Sequence, residues 1–382
     1  MSIQPFKVDI SQETLLRIES RLKNATWPER LGDGGWSFGI SYDYMKELVS
    51  YWTTQYEWRE TEKKLNAFPQ YKAHIEDYNI HFYHVPGSGP LPLPLILTHG
   101  WPGSVMEFLD VIEPLTNPEK FGGRAADSFT VVIPSLPGFG FSSKPIKEPI
   151  GPASTARLWH KLMTEVLGYS RYGAQGGDLG SLVTTLLAHQ YPDELIGIHL
   201  NIIPIAASTV AENADEEAWQ QQVQQFTQAE MAYFGLQATK PQTPSFALMD
   251  SPLGTAAWIV EKMKAWSDSG DSIEDAFSKD QILSNVMLYL VTGTIDSSIW
   301  FYRGFVMETG GSFHPGSRIE VPTGIANSPR EMIVGKPPRS MAERHFNLQH
   351  WAEQPRGGHF AAFEQPELFV KDVQTFFQTV RS

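Results

Sequence analysis

Gly176-Gly177-Asp178-Leu179-Gly180-Ser181 sets one acidic side chain among small residues. A short apolar run, Tyr169 to Ala174, comes before it. A helical pattern of Leu182, Leu186, Leu187 and His189 comes after it. This is the strand–turn–helix corner of a nucleophile elbow, G-x-S-x-G, with aspartate in the serine's place. An aspartate carboxylate attacks an sp3 carbon and leaves an alkyl ester on the enzyme. Esters and peptides are disfavoured as substrates; epoxides and alkyl halides fit. The plainer reading of Asp178 is a helix N-cap, a position Asp favours. A cap does not require glycine on both sides, whereas a tight corner that exposes the side chain does.

Three further stretches supply partners for such a nucleophile. Thr98-His99-Gly100-Trp101-Pro102-Gly103 follows the first core strand. An oxyanion hole needs one N–H from this loop and one from the residue after the nucleophile. The backbone amides of Trp101 and Leu179 are the candidates. Alone, the loop would read as an ordinary Gly/Pro turn. Arg356-Gly357-Gly358-His359-Phe360 follows the last strand signal. His359 comes last in the order nucleophile, acid, histidine, and imidazole titrates near ~6.5, so it can take a proton from water. The carboxylate that orients it belongs in the loop after the preceding strand, where Ser328-Pro329-Arg330-Glu331 stands. Glu331 is preferred by position. Glu343, in an Arg/Glu-rich stretch resembling a solvated helix face, Glu353, and Glu320, within the strand, are its rivals.

These residues need a scaffold with strands alternating with helices. Leu95-Ile96-Leu97, Phe129 to Ile133, Tyr172 to Ala174 and Ile196 to Ile202 read as buried parallel strands. With the helical stretches between them they predict a doubly wound α/β sheet. Residues 1–88 form an N-terminal segment. Asp9 and Ser11 precede a helix carrying Leu15, Ile18 and Leu22, and a second helix runs from Tyr42 to Tyr56. Pro86 to Pro94 is a break, and the core's first part covers 89–206. Residues 207–317 turn helical and rich in Gln, Glu and Ala, as expected of an inserted lid. The core resumes over 318–382, with strands Ile319 to Thr323 and Phe346 to Trp351 and a final helix Pro366 to Val380.

Composition narrows the class. With 382 residues, 41% of them hydrophobic, the chain can bury a large core. A net charge of -13 carries no nucleic-acid footprint. The absence of cysteine excludes a thiolate nucleophile, disulfides and cysteine-ligated metal. The N-terminus lacks a signal-peptide pattern, and no apolar run approaches the length of a membrane span. A soluble cytoplasmic protein without membrane or nucleic-acid partners is expected. A homodimer is the base-rate expectation.

The chain resembles an epoxide hydrolase of the α/β-hydrolase superfamily, in the branch with the microsomal, fungal and juvenile-hormone enzymes. The likeness covers nearly the whole chain. It rests on Pro5-Phe6 through Arg30-Leu31, His99-Gly100-Trp101-Pro102-Gly103-Ser104 and Gly176-Gly177-Asp178-Leu179-Gly180. Asp250-Ser251-Pro252, Val321-Pro322-Thr323-Gly324 and Gly357-Gly358-His359-Phe360-Ala361-Ala362 complete it. The resemblance implies an α/β-hydrolase fold with an inserted helical lid and an N-terminal extension. It implies Asp178 as nucleophile, His359 as general base and Glu331 as its partner. It also implies that two lid tyrosines, Tyr233 and Tyr302, hold and protonate the epoxide oxygen; from the residues alone both read as lid packing. Thr243-Pro244-Ser245-Phe246-Ala247 departs from the family's usual lid pattern.

The reaction so implied opens a small-molecule epoxide to a vicinal diol through a hydroxyalkyl ester on Asp178. Water then attacks the carboxyl carbon, and no cofactor or metal takes part. Detoxification is one role such chemistry serves. The alternatives are a haloalkane or haloacid dehalogenase, using the same nucleophile logic, and a non-catalytic binding protein on the same fold. A dehalogenase needs halide donors beside the nucleophile, and Leu179 offers only its backbone.

Overall fold

The computed structural model describes residues 3–206, 209–333 and 335–381. The boundary expected at 206/207 and the chain's extreme ends fall on residues outside this set. The described residues build one nine-stranded sheet. Its strands are β1 (Ile3–Phe6), β2 (Gln70–Ile75), β3 (Tyr78–Val85), β4 (Leu93–Thr98), β5 (Phe129–Pro134), β6 (Tyr172–Gly176), β7 (Leu195–Leu200), β8 (Ile319–Asn327) and β9 (Phe346–Glu353). Their order is β1-β2-β3-β5-β4-β6-β7-β8-β9. From β5 to β9 every neighbouring pair is parallel; β1, β2 and β3 extend the β5 edge in antiparallel pairing. All residues of β5 and β6 are buried. Buried parallel strands need no polar face, which is why these read as unbroken apolar runs.

The core strands fall where expected. β8 runs four residues beyond Thr323, because Gly324-Ile325-Ala326 continues the buried pairing with β7 and β9. The final helix is Pro366–Val380. In the N-terminal segment the helices Gln12–Lys23 and Tyr42–Thr54 form, and Ser11 caps the first by accepting from the Thr14 N–H. The expectation there was incomplete: helix Trp58–Leu65 and all of β1 to β3 are additional. The β2–β3 turn consists of Glu76 and Asp77, with Glu76 at φ 52°. Such two-residue turns usually announce themselves with Asn-Gly, and Glu-Asp does not.

Among the described residues six α-helices lie between β7 and β8: Ala214–Glu230, Ala232–Thr239, Gln242–Asp250, Pro252–Trp266, Lys279–Thr292 and Ile295–Thr309. The N-terminal segment ties to them through Arg21 with Asp250, Lys279 with Glu47, and the Tyr51 hydroxyl donating to Asp280. Glu308, near the end of the last helix, accepts the N–H groups of Gly151, Ala153 and Ser154. Those are the free donors at the start of helix Pro152–Lys161, where a negative charge is favoured. Among the described residues no single helix is long and apolar enough to cross a membrane.

Helix Leu179–Gln190 starts directly behind β6 and approaches β4 closely. A Cβ on Gly180 would overlap the Thr98 carbonyl oxygen, and one on Gly176 would overlap the Gly180 carbonyl. Gly177 has no such neighbour, so packing demands glycine on both sides of Asp178 but not immediately before it. Gly180→Ala is expected to cost about 1–3 kcal/mol by overpacking. A thermal melt unchanged from wild type would show that the corner has slack.

Candidate active site

Asp178 occupies the N-cap position of helix Leu179–Gln190, yet its side chain makes no capping hydrogen bond. Its backbone sits at φ 49°, ψ −129°, a conformation costly for a residue with a Cβ. The side chain is turned outward from the corner. A Cβ on Gly100 would collide with Asp178 Oδ1, so the loop after β4 reaches the carboxylate only because Gly100 has none. That approach lets the Trp101 N–H donate to Asp178 Oδ1 at 2.7 Å. Leu179, first in its helix, has an N–H without an intrahelical acceptor. Of the two amides expected from the sequence, that of Trp101 meets the carboxyl group, and that of Leu179 follows Asp178 directly in the chain.

His359 lies after β9 and is buried. Its Nδ1 is 2.9 Å from Glu331 Oε2, and the other Glu331 oxygen accepts the Ile333 N–H at 2.8 Å. This fixes the ring with Nδ1–H toward Glu331. Nε2 then stands 3.2 Å from Asp178 Oδ2. The angle does not suit a hydrogen bond, and buried Nε2 has no partner among the described residues. The rival carboxylates are engaged elsewhere: Glu343 with Arg339, Glu320 with Arg318, and Glu353 with Lys336 and Asn327. Burial pulls His359 downward. The negative charges of Glu331 and Asp178, with the Glu331 hydrogen bond, outweigh it and hold the imidazole well above its ordinary value.

Tyr233 (in Ala232–Thr239) and Tyr302 (in Ile295–Thr309) are buried, with ring centroids 5.9 Å apart. The Trp101 ring lies parallel to Tyr233, 5.5 Å away, and edge-on to Tyr302. The buried Tyr302 hydroxyl has no hydrogen-bond partner among the described residues. Burial first, with the charge of Asp178 among the further causes, raises both phenols well above their ordinary value. Both therefore hold their protons. A cavity of about 30 Å³ lies between Asp178 and the two tyrosines, and its other walls include Leu182, Ile202, Met231, Phe234 and Ile333. Thr243 to Ala247 lies in helix Gln242–Asp250 and does not border it.

Several supporting residues carried no sequence signal. Asn285 donates to the Pro102 carbonyl at 2.7 Å and Tyr289 to the Gly103 carbonyl at 2.6 Å, bracing the Trp101 loop from the lid. Glu364 accepts the N–H groups of Gly358 and Phe360, on either side of His359, and that of Asp268 in the lid. The His359 N–H donates to the Trp266 carbonyl at 2.9 Å. Only the folded chain identifies these contacts, most of which span long sequence separations.

Residues 3–108 match the family described as Epoxide hydrolase N terminus, and 94–257 match the alpha/beta hydrolase fold. Rabbit (Oryctolagus cuniculus) epoxide hydrolase 1 is 35% identical over 408 residues, covering 98% of this chain and 88% of its own. A Stigmatella aurantiaca protein assigned to the epoxide hydrolases is 43% identical over 384 residues, covering 100% of this chain and 86% of its own. The chain belongs to the epoxide hydrolase family. The crystal structure of juvenile hormone epoxide hydrolase from Bombyx mori superposes with a TM-score of 0.86 at 31% identity, covering 100% of this chain and 94% of that one. The α/β-hydrolase fold expected from the sequence is thus the fold of this epoxide hydrolase family member.

The electrostatics of the site are testable. Asp178→Asn removes one of the two charges that oppose burial at His359, so the imidazole pKa should fall. Nitrogen-15 NMR of the ring across pH would read this. An identical titration in wild type and variant would contradict the assignment of the shift.

Proposed function

We propose that the chain hydrolyses epoxides to vicinal diols through an ester on Asp178. One observation carries this reading: two protonated phenols face a carboxylate across an apolar cavity. An epoxide needs an acid at its oxygen and a nucleophile at its carbon, and this cavity offers both. Tyr233 and Tyr302 donate to the oxygen as Asp178 attacks a ring carbon from the opposite side. One phenol gives up its proton, and a hydroxyalkyl ester forms. The ester carries no charge, so His359 loses one of the two carboxylates holding its proton. That proton restores the phenol and leaves a neutral imidazole.

Neutral His359, oriented by Glu331, then takes a proton from water, and the hydroxide adds to the Asp178 carboxyl carbon. The N–H groups of Trp101 and Leu179 stabilise the oxyanion; one such donor contributes about 2.7–4 kcal/mol in a buried site. Collapse expels the diol, and its alkoxide takes the proton of the re-formed carboxylic acid. In this reading the segment 1–88 and the lid 207–317 close over a core made of 89–206 and 318–382. The dehalogenase alternative is less well supported, since an alkyl halide has no oxygen for the two protonated phenols to serve.

Two variants test the proposal. Tyr302→Phe should slow ester formation by about 100-fold, the effect of losing one positioned donor. His359→Gln should form the ester and stop there. Intact-mass spectrometry with styrene oxide should then show one added epoxide mass per chain. Absence of that adduct under saturating substrate would overturn the ester.

A further inference from the structure

Asp178 borders a second cavity, and neither phenol borders it. It measures about 10 Å³, room for a single water molecule. Glu107, Gln175, Asn201 and His359 lie in its walls. Gln175 is buried. Its amide nitrogen donates to Asn201 Oδ1 at 2.6 Å, while its carbonyl Oε1 has no partner among the described residues. His359 Nε2, buried and 3.2 Å from Asp178 Oδ2, likewise has no hydrogen-bond partner among the described residues. Two unsatisfied polar atoms and a carboxyl group thus surround a water-sized space beside the nucleophile.

Glu107 lies in the helical turn Val105–Phe108, just after the loop that carries Trp101. Gly103 makes room for its carboxyl group, since a Cβ there would overlap Glu107 Oε1. Burial pushes this carboxyl group up to about 8. The role proposed above for Asp178, His359, Glu331 and the tyrosines leaves Glu107 unused.

We propose that this cavity holds the hydrolytic water and that Glu107 orients it. The inference rests on the covalent-ester reading above. A water that attacks the Asp178 carboxyl carbon must aim a lone pair at that carbon while passing one proton to His359. Its second proton leaves it free to rotate unless another acceptor meets it. A glutamate oxygen accepts whether the group is ionised or neutral, because a protonated carboxyl group keeps a carbonyl lone pair. With both protons engaged, the remaining lone pair points at carbon. Substrate and water then reach Asp178 from separate cavities.

Single-turnover kinetics with styrene oxide separate the two steps, as ester formation followed by ester hydrolysis. Glu107→Leu should leave ester formation within about threefold of wild type and slow hydrolysis by about tenfold or more, the scale of a lost orientation effect. The ester should accumulate in the intact mass. Glu107→Gln keeps an acceptor and the shape, so it should show the same change to a smaller degree. A merely structural role would slow both steps together. An unchanged ratio of the two rates in Glu107→Leu overturns the proposal; should that variant melt early, an unchanged ratio in Glu107→Gln does so instead. His359→Gln run in parallel separates the two readings. If it traps no ester, the covalent reading fails; if it traps ester while both Glu107 variants keep the wild-type ratio, only the Glu107 assignment fails.

Discussion

A carboxylate held on a tight corner, under a lid of aromatic rings, is the constraint that organises this molecule. The Asp178 side chain is only 15% exposed, and an anion so placed needs compensation. The Trp101 N–H, the start of helix Leu179–Gln190 and the His359 ring supply it. Each compensation imposes a close approach. Gly100 brings the β4 loop to the carboxylate, and Gly180 brings the helix to β4. The positive φ of Asp178 is the local cost of pointing its side chain at these groups.

The lid is tied to the same point. Asn285 and Tyr289 brace the Trp101 loop, and Trp266 receives the His359 N–H. Glu364 gathers backbone donors from both sides of the His359 peptide and from the lid. Glu308 fastens the tyrosine-bearing helix to the core. The helices between β7 and β8 therefore contribute more than two phenols, because their backbone and polar side chains hold the Trp101 and His359 loops in register. The sheet places the loops after β4, β6, β8 and β9 along one edge, with β7 between β6 and β8, as open α/β sheets do at the carboxyl ends of their strands.

The parts legible in the sequence were those governed by local rules. Buried parallel strands read as apolar runs, and Asp178 and His359 stood out because glycines flanked them. Glu331 was reached by chain order, with Glu343, Glu353 and Glu320 open as rivals. The tyrosines came only through family resemblance, since a lid tyrosine that donates to a ligand and one that packs look alike in one chain. The β2–β3 hairpin was missed because its Glu76-Asp77 turn lacks turn chemistry. Asn285 was invisible for another reason, since its partner lies far away in the chain; Glu107 and Glu364 lie near the Trp101 and His359 loops, but nothing in their spacing shows which way their carboxyl groups turn.

On the proposed ester route, water attacks the enzyme's own carboxyl group and not the substrate. A single turnover in oxygen-18 water, with enzyme in excess over styrene oxide, tests this directly. The account predicts label in the peptide that contains Asp178, read by mass spectrometry after digestion, and unlabelled diol from that first turnover. Label in the diol, with none in Asp178, would contradict it.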